Sequence, residues 1–187
     1  GYIFDSPQYH VFQDETEHMG ESGRRMWKSQ SHDHNQVYYN PEVTYHPWPG
    51  VGDRIFLPAD IEFPRFHPIN DTSETLNLDG KSFSVALQLG ALPADTLQVK
   101  HAHYFREGKD GKIYLVVLDG DDNKVRYFEI VEIEGSGMTE SVKKVKPVTA
   151  PPGDIRVKEY DAARQNFANW FTYYRRRKFV AKAAIAR

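Results

Sequence analysis

Apolar residues recur at helical spacing most clearly in the C-terminal part of the chain. At about 100° of rotation per residue, one narrow arc contains Ala163, Phe167, Trp170, Tyr174, Ala181 and Ile185. Pro151, Pro152 and Gly153 precede this stretch, and Asp161 is a suitable N-cap. The pattern predicts one long amphipathic helix over about residues 159–187.

The predicted helix changes character along its length. Aromatic residues occupy its first half, whereas small residues such as Ala183 and Ala184 occupy its second half. Small side chains allow a helix to approach another backbone closely, so we expect polypeptide outside this sequence to cover the helix. The predicted partner-binding or packing residues are Phe167, Trp170, Phe171, Tyr174, Arg177, Lys178, Ala181 and Ile185.

Strand-like sequences occur between about residues 97 and 134. The three stretches Leu97–Phe105, Ile113–Leu118 and Val125–Ile133 are separated by turn-forming residues at 108–111 and 119–123. They predict a small antiparallel sheet of β-hairpins. The next stretch, residues 135–152, contains Gly, Pro and Lys and is interpreted as a flexible linker.

The N-terminal half is irregular in pattern and rich in proline and aromatic residues. Pro41, Pro47 and Pro49 favour extended backbone at the residues before them, so residues 37–50 are expected to form a rigid extended strip. Its aromatic side chains either pack against a core or present a surface to a partner. They are Tyr38, Tyr39, Tyr45 and Trp48. The predicted fold class is α+β, with loops and hairpins over 1–158 and the helix over 159–187.

Composition narrows the range of functions. The 187 residues include no cysteine, which excludes disulfides, thiolate metal sites and a cysteine nucleophile. The net charge of −2 gives no general attraction to nucleic acid or to an anionic membrane. No apolar run reaches the roughly 18 residues that a membrane span needs, and no familiar catalytic motif occurs. We therefore expect neither an enzyme, a nucleic-acid-binding protein nor a membrane-spanning protein.

Two patterns are weak candidates for metal ligands. His101 and His103 would point the same way on a strand, as two ligands must. Asp119, Asp121 and Asn123 have the first spacings of a calcium loop, but Lys124 replaces its glycine. Partly buried histidines and a hairpin turn are the favoured interpretations, and no cofactor is expected.

Two stretches resemble a known protein family. The sequence YYNPEVTYHPWPG, at residues 38–50, and the sequence NFANWFTYYRRRKFVAKAAIAR, at residues 166–187, are similar to elements of the PilC/PilY family of type IV pilus tip adhesins. They occur in the same order as in that family. The resemblance implies a von Willebrand A-like α/β domain with a large insertion, in which residues 159–187 are the first long helix.

The resemblance also implies partners and a location. We expect a fragment of an adhesin or pilus-biogenesis protein at the cell surface or outside the cell, on the pilus, acting in adhesion and protein–protein interaction. Its expected partners are the rest of the parent adhesin or a chain covering the helix, pilins or minor pilins, and neighbouring copies. The family's metal-dependent adhesion motif D-x-S-x-S is absent from this sequence, so calcium is expected only in parts of such proteins that this sequence does not contain.

Two alternative functions remain open at this point. One is a subunit of an extracellular filament or coat. The other is a carbohydrate-binding module in which Tyr38, Tyr39, Tyr45 and Trp48 form a stacking platform. Exposure of those four rings separates the second alternative from a packing role.

Overall fold

The fold is a mixed sheet with one well-formed helix, as the predicted α+β class requires. The computed structural model describes residues 26–50, 52–70, 72–81, 87–89, 96–150, 153, 155–156, 158–176, 179–181 and 184. The helix, α1, spans Tyr160–Tyr173, and two single turns of 3₁₀-helix lie at Lys28–Gln30 and Gly137–Thr139.

Six strands of the described residues form one sheet. In chain order they are β1 (Leu87–Leu89), β2 (Thr96–Leu97), β3 (His103–Glu107), β4 (Ile113–Asp119), β5 (Lys124–Glu134) and β6 (Ser141–Val148). Their spatial order is β2-β1-β6-β5-β4-β3. Strands β3 to β6 are antiparallel neighbours, β1 pairs with β6 in parallel, and β2 pairs with β1 in antiparallel fashion.

The predicted hairpins are confirmed in β3, β4 and β5. Strand β4 is apolar at almost every position because both of its faces are buried. Gly111 and Asn123 take positive φ angles of 74° and 51° in the two hairpin turns, a conformation that glycine and asparagine tolerate best. The turn chemistry and the strand pattern therefore agree.

The first predicted strand, Leu97–Phe105, is wrong as a single element. The backbone N–H groups of His101 and Ala102 donate to the carbonyls of Gly80 and Leu78 instead of continuing a ladder. The chain therefore bends between β2 and β3. Alternation in the sequence did not reveal this break, because the partners of these groups lie about twenty residues earlier.

The predicted linker at residues 135–152 is also wrong, since it contains β6. Val142 and Val145 are fully buried, whereas Lys143 and Lys144 are partly exposed. The β5–β6 pairing has register irregularities around Glu132, which shift the alternation in both strands. The lysines therefore led to the prediction of a linker, although Val142 and Val145 bury enough apolar surface for this stretch to form a strand.

Helix α1 is shorter than the predicted 159–187 and does not begin at an Asp161 cap. Glu159 occupies the N-cap position without a side-chain bond, and Asp161 lies in the first turn. After Tyr173 the chain leaves helical geometry, and residues 179–181 and 184 are helical again. The helix ends where side chains satisfy its last carbonyls: Arg175 Nη1 donates to Phe171 O at 2.7 Å, and Trp48 Nε1 donates to Tyr173 O at 3.0 Å.

The core has one apolar cluster on each face of the sheet. On one face, Phe167 and Phe171 of α1 pack with Tyr104 of β3 and Leu118 of β4, together with the early residue Tyr39. A second cluster lies on the opposite face, where Trp27 and Val99 pack against side chains of β1 and β3 to β6. Its buried members are Trp27, Leu87, Val99, Phe105, Leu115, Val117, Phe128, Ile130, Val142 and Val145. Residues 1–158 and the helix therefore contribute to the same apolar cluster.

The expectation that foreign polypeptide covers the helix is wrong for α1. Phe167 and Phe171 are 0% exposed, and Trp170 is 2% exposed, within the chain itself. The irregular N-terminal half, which shows no periodicity, supplies much of the covering surface.

Candidate functional site

The two stretches that carry the family resemblance meet in one interface. We call residues 37–50, which contain the first of them, the aromatic segment. The prediction that this segment is an extended strip is wrong in part, because the chain turns at residues 40–43, where Val43 N donates to Asn40 O.

The ring of Tyr39 lies 5.0 Å from that of Phe167, and the ring of Tyr38 lies 5.0 Å from that of Trp170, measured between centroids. Tilted aromatic pairs at this spacing add favourable electrostatics to the burial of apolar area.

Asn166 is the central polar contact of this interface. Its Nδ2 donates to the Tyr39 hydroxyl at 3.0 Å and to Val43 O at 2.8 Å, and its Oδ1 accepts from Tyr45 N at 2.7 Å. The side chain is almost fully buried. One carboxamide therefore satisfies the backbone of a segment that has no strand partner there.

Asn169 repeats this arrangement one turn later. Its Nδ2 donates to Tyr45 O at 2.8 Å, and its Oδ1 accepts from Ala59 N at 2.9 Å. Gln165 Nε2 donates to Ala59 O at 2.9 Å. Buried backbone groups need partners, so the polar side chains of α1 take the place of a neighbouring strand.

Three aromatic side chains of this interface also donate hydrogen bonds to backbone carbonyls. Trp170 Nε1 donates to Val37 O at 3.2 Å, Tyr173 OH donates to Leu57 O at 2.6 Å, and Tyr38 OH donates to His103 O at 2.8 Å. Burial raises the pKa of Tyr38 and of Tyr39 well above the ordinary value. Both hydroxyls therefore stay protonated throughout the neutral range.

Arg175 closes the interface beyond the end of α1. Its guanidinium lies 4.3 Å from the ring centroid of Phe171 and 4.9 Å from that of Phe66, and it donates to Phe66 O at 2.5 Å. Burial, followed by repulsion from Arg176, lowers the pKa of Arg175 to about 9. The group remains a cation at neutral pH, held by ring faces and carbonyl oxygens.

The remaining predicted helix residues differ in position. Tyr174 is half-buried and packs against the first cluster, with its ring 5.2 Å from that of Tyr45. Ala181 is exposed. Arg177, Lys178 and Ile185 lie outside the described residues. The first half of the predicted set is thus used for packing within the chain.

The aromatic platform for carbohydrate is contradicted by burial. Tyr38, Tyr39 and Trp48 are 3%, 1% and 6% exposed, and Tyr45 is half-buried. Their ring faces contact other rings, so a sugar cannot stack on them without opening the core. The aromatic segment is a packing element.

The two histidines are committed to internal bonds. His101 Nδ1 lies 2.8 Å from Asn77 O, while His103 Nδ1 lies 2.7 Å from Lys100 O and its Nε2 contacts the Gln30 side-chain amide. Burial lowers the pKa of His103 to about 4. Both rings therefore stabilise the packing of β3 against the neighbouring loops.

Lys100 supplies the positive charge that the calcium-loop hypothesis assigned to a metal. Its Nζ lies 2.5 Å from Asp121 Oδ2 and 4.0 Å from Asp119 Oδ1, at the β4–β5 turn. Asp121 N donates to Asp119 Oδ1, as in an ordinary polar turn. Within the described part of the chain, no three His, Asp or Glu side chains are arranged to hold a metal ion.

No sequence pattern indicated the partly buried ion pair between α1 and the loop before β1, in which Arg164 is buried and Asp79 is partly exposed. Arg164 Nη1 and Nη2 lie 3.0 and 3.1 Å from the two carboxylate oxygens of Asp79. Arg164 also donates to Leu118 O, and Gly120 N donates to Asp79. A Cβ at Gly120 would collide with the Asp79 carboxylate. The sequence separation of 85 between the partners explains why no local pattern revealed the pair.

Within the described residues, the polar groups of this interface bind one another and the backbone rather than facing a cleft. The arrangement holds an irregular segment in place; it does not present a nucleophile with a base. Among the described residues, no helix combines the length and apolar character needed to cross a bilayer. Comparisons with protein-family models, with curated proteins and with solved structures find no match to the chain.

Proposed function

We propose that this chain is part of a type IV pilus-associated adhesin or pilus-biogenesis protein and acts in surface adhesion through protein–protein contacts. The proposal places it outside the cell or on the cell surface, with pilins, minor pilins or other parts of the adhesin as partners. It includes the finer proposal that the helical stretch belongs to a von Willebrand A-like domain carrying a large insertion.

One observation carries the proposal. The two stretches that resemble the PilC/PilY family are separated by more than a hundred residues. They contact each other through hydrogen bonds of Asn166 and Asn169 and through the packing of Trp170 on Tyr38. A chance resemblance of two short sequences gives no reason for them to form one interface. Their contact supports a shared folded unit. The earlier argument from an uncovered helix no longer supports the proposal, because α1 is covered by its own chain.

Immunogold electron microscopy of the source cells tests the proposal. A peptide tag placed in the exposed β5–β6 connection, at residues 135–138, avoids the interface. We expect label on pili, and fewer pili or weaker attachment when the gene is deleted. Label confined to the cell interior, with normal piliation after deletion, would exclude the proposed function.

A further inference from the structure

The loop at residues 66–74 contains an asparagine with the sequence context of an N-glycan acceptor. The sequence Asn70-Asp71-Thr72 has the form N-x-T, in which a hydroxyl residue follows the asparagine two positions later. Asn70 is the one asparagine of the whole sequence with serine or threonine at that position. An acceptor must also be accessible, so the surroundings of this side chain decide whether it can be modified.

Asn70 lies in the exposed part of an anchored loop. Phe66 N donates to Glu74 O at 2.8 Å and closes the base of the loop, and Ser73 N donates to Asn70 O at 3.1 Å within it. Asn70 and Thr72 are both exposed. A bulky hydrophilic group on Asn70 would therefore extend into solvent without opening the core.

The carboxamide of Asn70 has a defined orientation. Its Oδ1 accepts hydrogen bonds from Thr72 N at 3.1 Å and from the Thr72 hydroxyl at 2.9 Å. A backbone N–H can only donate, so the atom that faces it is the oxygen, and Nδ2 is directed away from the turn. Within the described part of the chain, no group forms a hydrogen bond with Nδ2. The nitrogen to which a sugar would be attached is therefore accessible.

Asn40 and Asn77 form the same turn and show what distinguishes Asn70. Asn40 Oδ1 accepts from Glu42 N at 3.0 Å, and Asn77 Oδ1 accepts from Asp79 N at 2.9 Å. In both cases the residue two positions later carries a carboxylate instead of a hydroxyl. The turn itself is common for asparagine, so the second bond from a hydroxyl to Oδ1 is the feature that sets Asn70 apart.

We propose that Asn70 is a site of N-linked glycosylation, modified by transfer of an oligosaccharide from a polyprenyl diphosphate carrier. Nδ2 forms a bond to the anomeric carbon of the first sugar and gives up one proton to a base of the transferase. The bond between that carbon and the diphosphate oxygen breaks, and the diphosphate leaves with the electron pair. The Thr72 hydroxyl positions the carboxamide. This inference rests on the proposed location outside the cell, because the transfer acts on exported chains.

Mass spectrometry of protein purified from the source cells tests the inference. Trypsin releases residues 66–81, which contain both Asn70 and Asn77. Electron-transfer fragmentation leaves glycans attached and assigns the added mass to one residue. We expect the mass of an oligosaccharide on Asn70 and no added mass on Asn77, which is the internal control. An unmodified Asn70, or a sugar on a hydroxyl of this peptide instead, would overturn the inference.

Substitutions at Thr72 separate the role of the hydroxyl from exposure alone. In the full chain, Thr72→Ser keeps a hydroxyl and should keep the glycan, whereas Thr72→Ala should lose it although Asn70 is unchanged. Asn70→Gln should lose it as well. Because both positions are exposed, all three variants are expected to fold as the native chain does, as measured by circular dichroism. A glycan retained in Thr72→Ala would contradict the role of the hydroxyl.

Fractionation of the same cells reports the location of the protein independently. Protein at the cell surface or outside the cell with an unmodified Asn70 would overturn this inference and leave the pilus proposal in place. Unmodified protein confined to the cell interior would overturn both.

Discussion

Single side chains hold the irregular half of this protein to its helix. Asn166 and Asn169 bond five groups of the chain between Tyr39 and Ala59. Both asparagines lie in the stretch that resembles the PilC/PilY family, but neither was among the predicted packing residues, since an amide in a helix is ordinary at the surface. Their importance comes from burial against the aromatic segment and Ala59, whose backbone groups they satisfy.

Asn166→Ala is expected to lower the free energy of unfolding by about 2 to 4 kcal/mol, because it leaves the Val43 carbonyl and the Tyr45 N–H without their partner. Urea denaturation followed by circular dichroism measures the change. Gln36→Ala, at an exposed amide, is the matched control and should change stability by less than about 0.5 kcal/mol. Equal effects of the two variants would refute the role assigned to Asn166.

Arg164→Met is expected to lower the free energy of unfolding by about 1 to 3 kcal/mol, because it removes the buried guanidinium that pairs with the partly exposed Asp79 carboxylate. The double variant Arg164→Met with Asp79→Asn should recover part of this loss, since no unpaired charge remains. A double-mutant cycle by chemical denaturation gives the coupling between the two residues. A coupling near zero would mean that the pair contributes only packing.

His103 makes stability depend on pH in a defined direction. Its pKa is lowered to about 4 in the folded chain, whereas an unfolded histidine has a pKa of about 6.5. The unfolded state therefore binds the extra proton first, and stability falls as pH drops from about 6.5 towards 4. We expect His103→Gln to remove roughly 3 kcal/mol of this dependence, measured by denaturation at several pH values. Stability that rises on acidification in the native chain relative to the variant would contradict a neutral ring.

At the scale of elements, the sequence pattern predicted the strands β3, β4 and β5 more accurately than it predicted the end of the helix. The β3–β4–β5 hairpins follow from alternation and turn residues, which act locally. The end of α1 does not, because Tyr173 is followed by residues that continue the apolar arc. Trp48 and Arg175 end the helix from outside the local sequence pattern by binding its last carbonyls. Strand β6 was also missed, because the strands that pair with it, β1 and β5, are not identifiable from its own lysine-rich sequence.

Among the described residues of the second helical stretch, Phe179 is the buried one. Phe179 is fully buried against Trp48 and Tyr173, whereas its neighbour Val180 is 44% exposed. Phe179→Ala is expected to lower stability by about 3 to 4 kcal/mol, while Val180→Ala should change it by less than about 1 kcal/mol. Thermal unfolding of both variants measures the contrast. Similar losses of stability in the two variants would contradict the buried position of Phe179.

At the scale of the whole molecule, the three tryptophans report on three different clusters. Trp27 lies on one face of the sheet, Trp170 on the other, and Trp48 beyond the end of α1. Because α1 and the aromatic segment bind each other, we expect one cooperative transition. In each of three variants, one tryptophan is kept and the other two are changed to Phe. For each variant, the denaturation midpoint measured by fluorescence should equal the midpoint measured by circular dichroism on the same variant. An earlier midpoint for Trp48 fluorescence would mean that the third cluster opens independently.

The sequence by itself determined what depends on near neighbours. It specified the α+β class, the hairpins that join β3, β4 and β5, and an amphipathic helix beginning near residue 160. It also contained both stretches of the family resemblance, but not the fact that they touch.

Only the tertiary structure decided which surface covers the helix, because the partners of Asn166, Arg164 and Trp48 lie far away along the chain. Hydrogen bonds and ion pairs form between groups that are close in space, whatever their separation in sequence. A segment without periodicity can therefore be as well fixed as a strand, provided that side chains elsewhere satisfy its backbone.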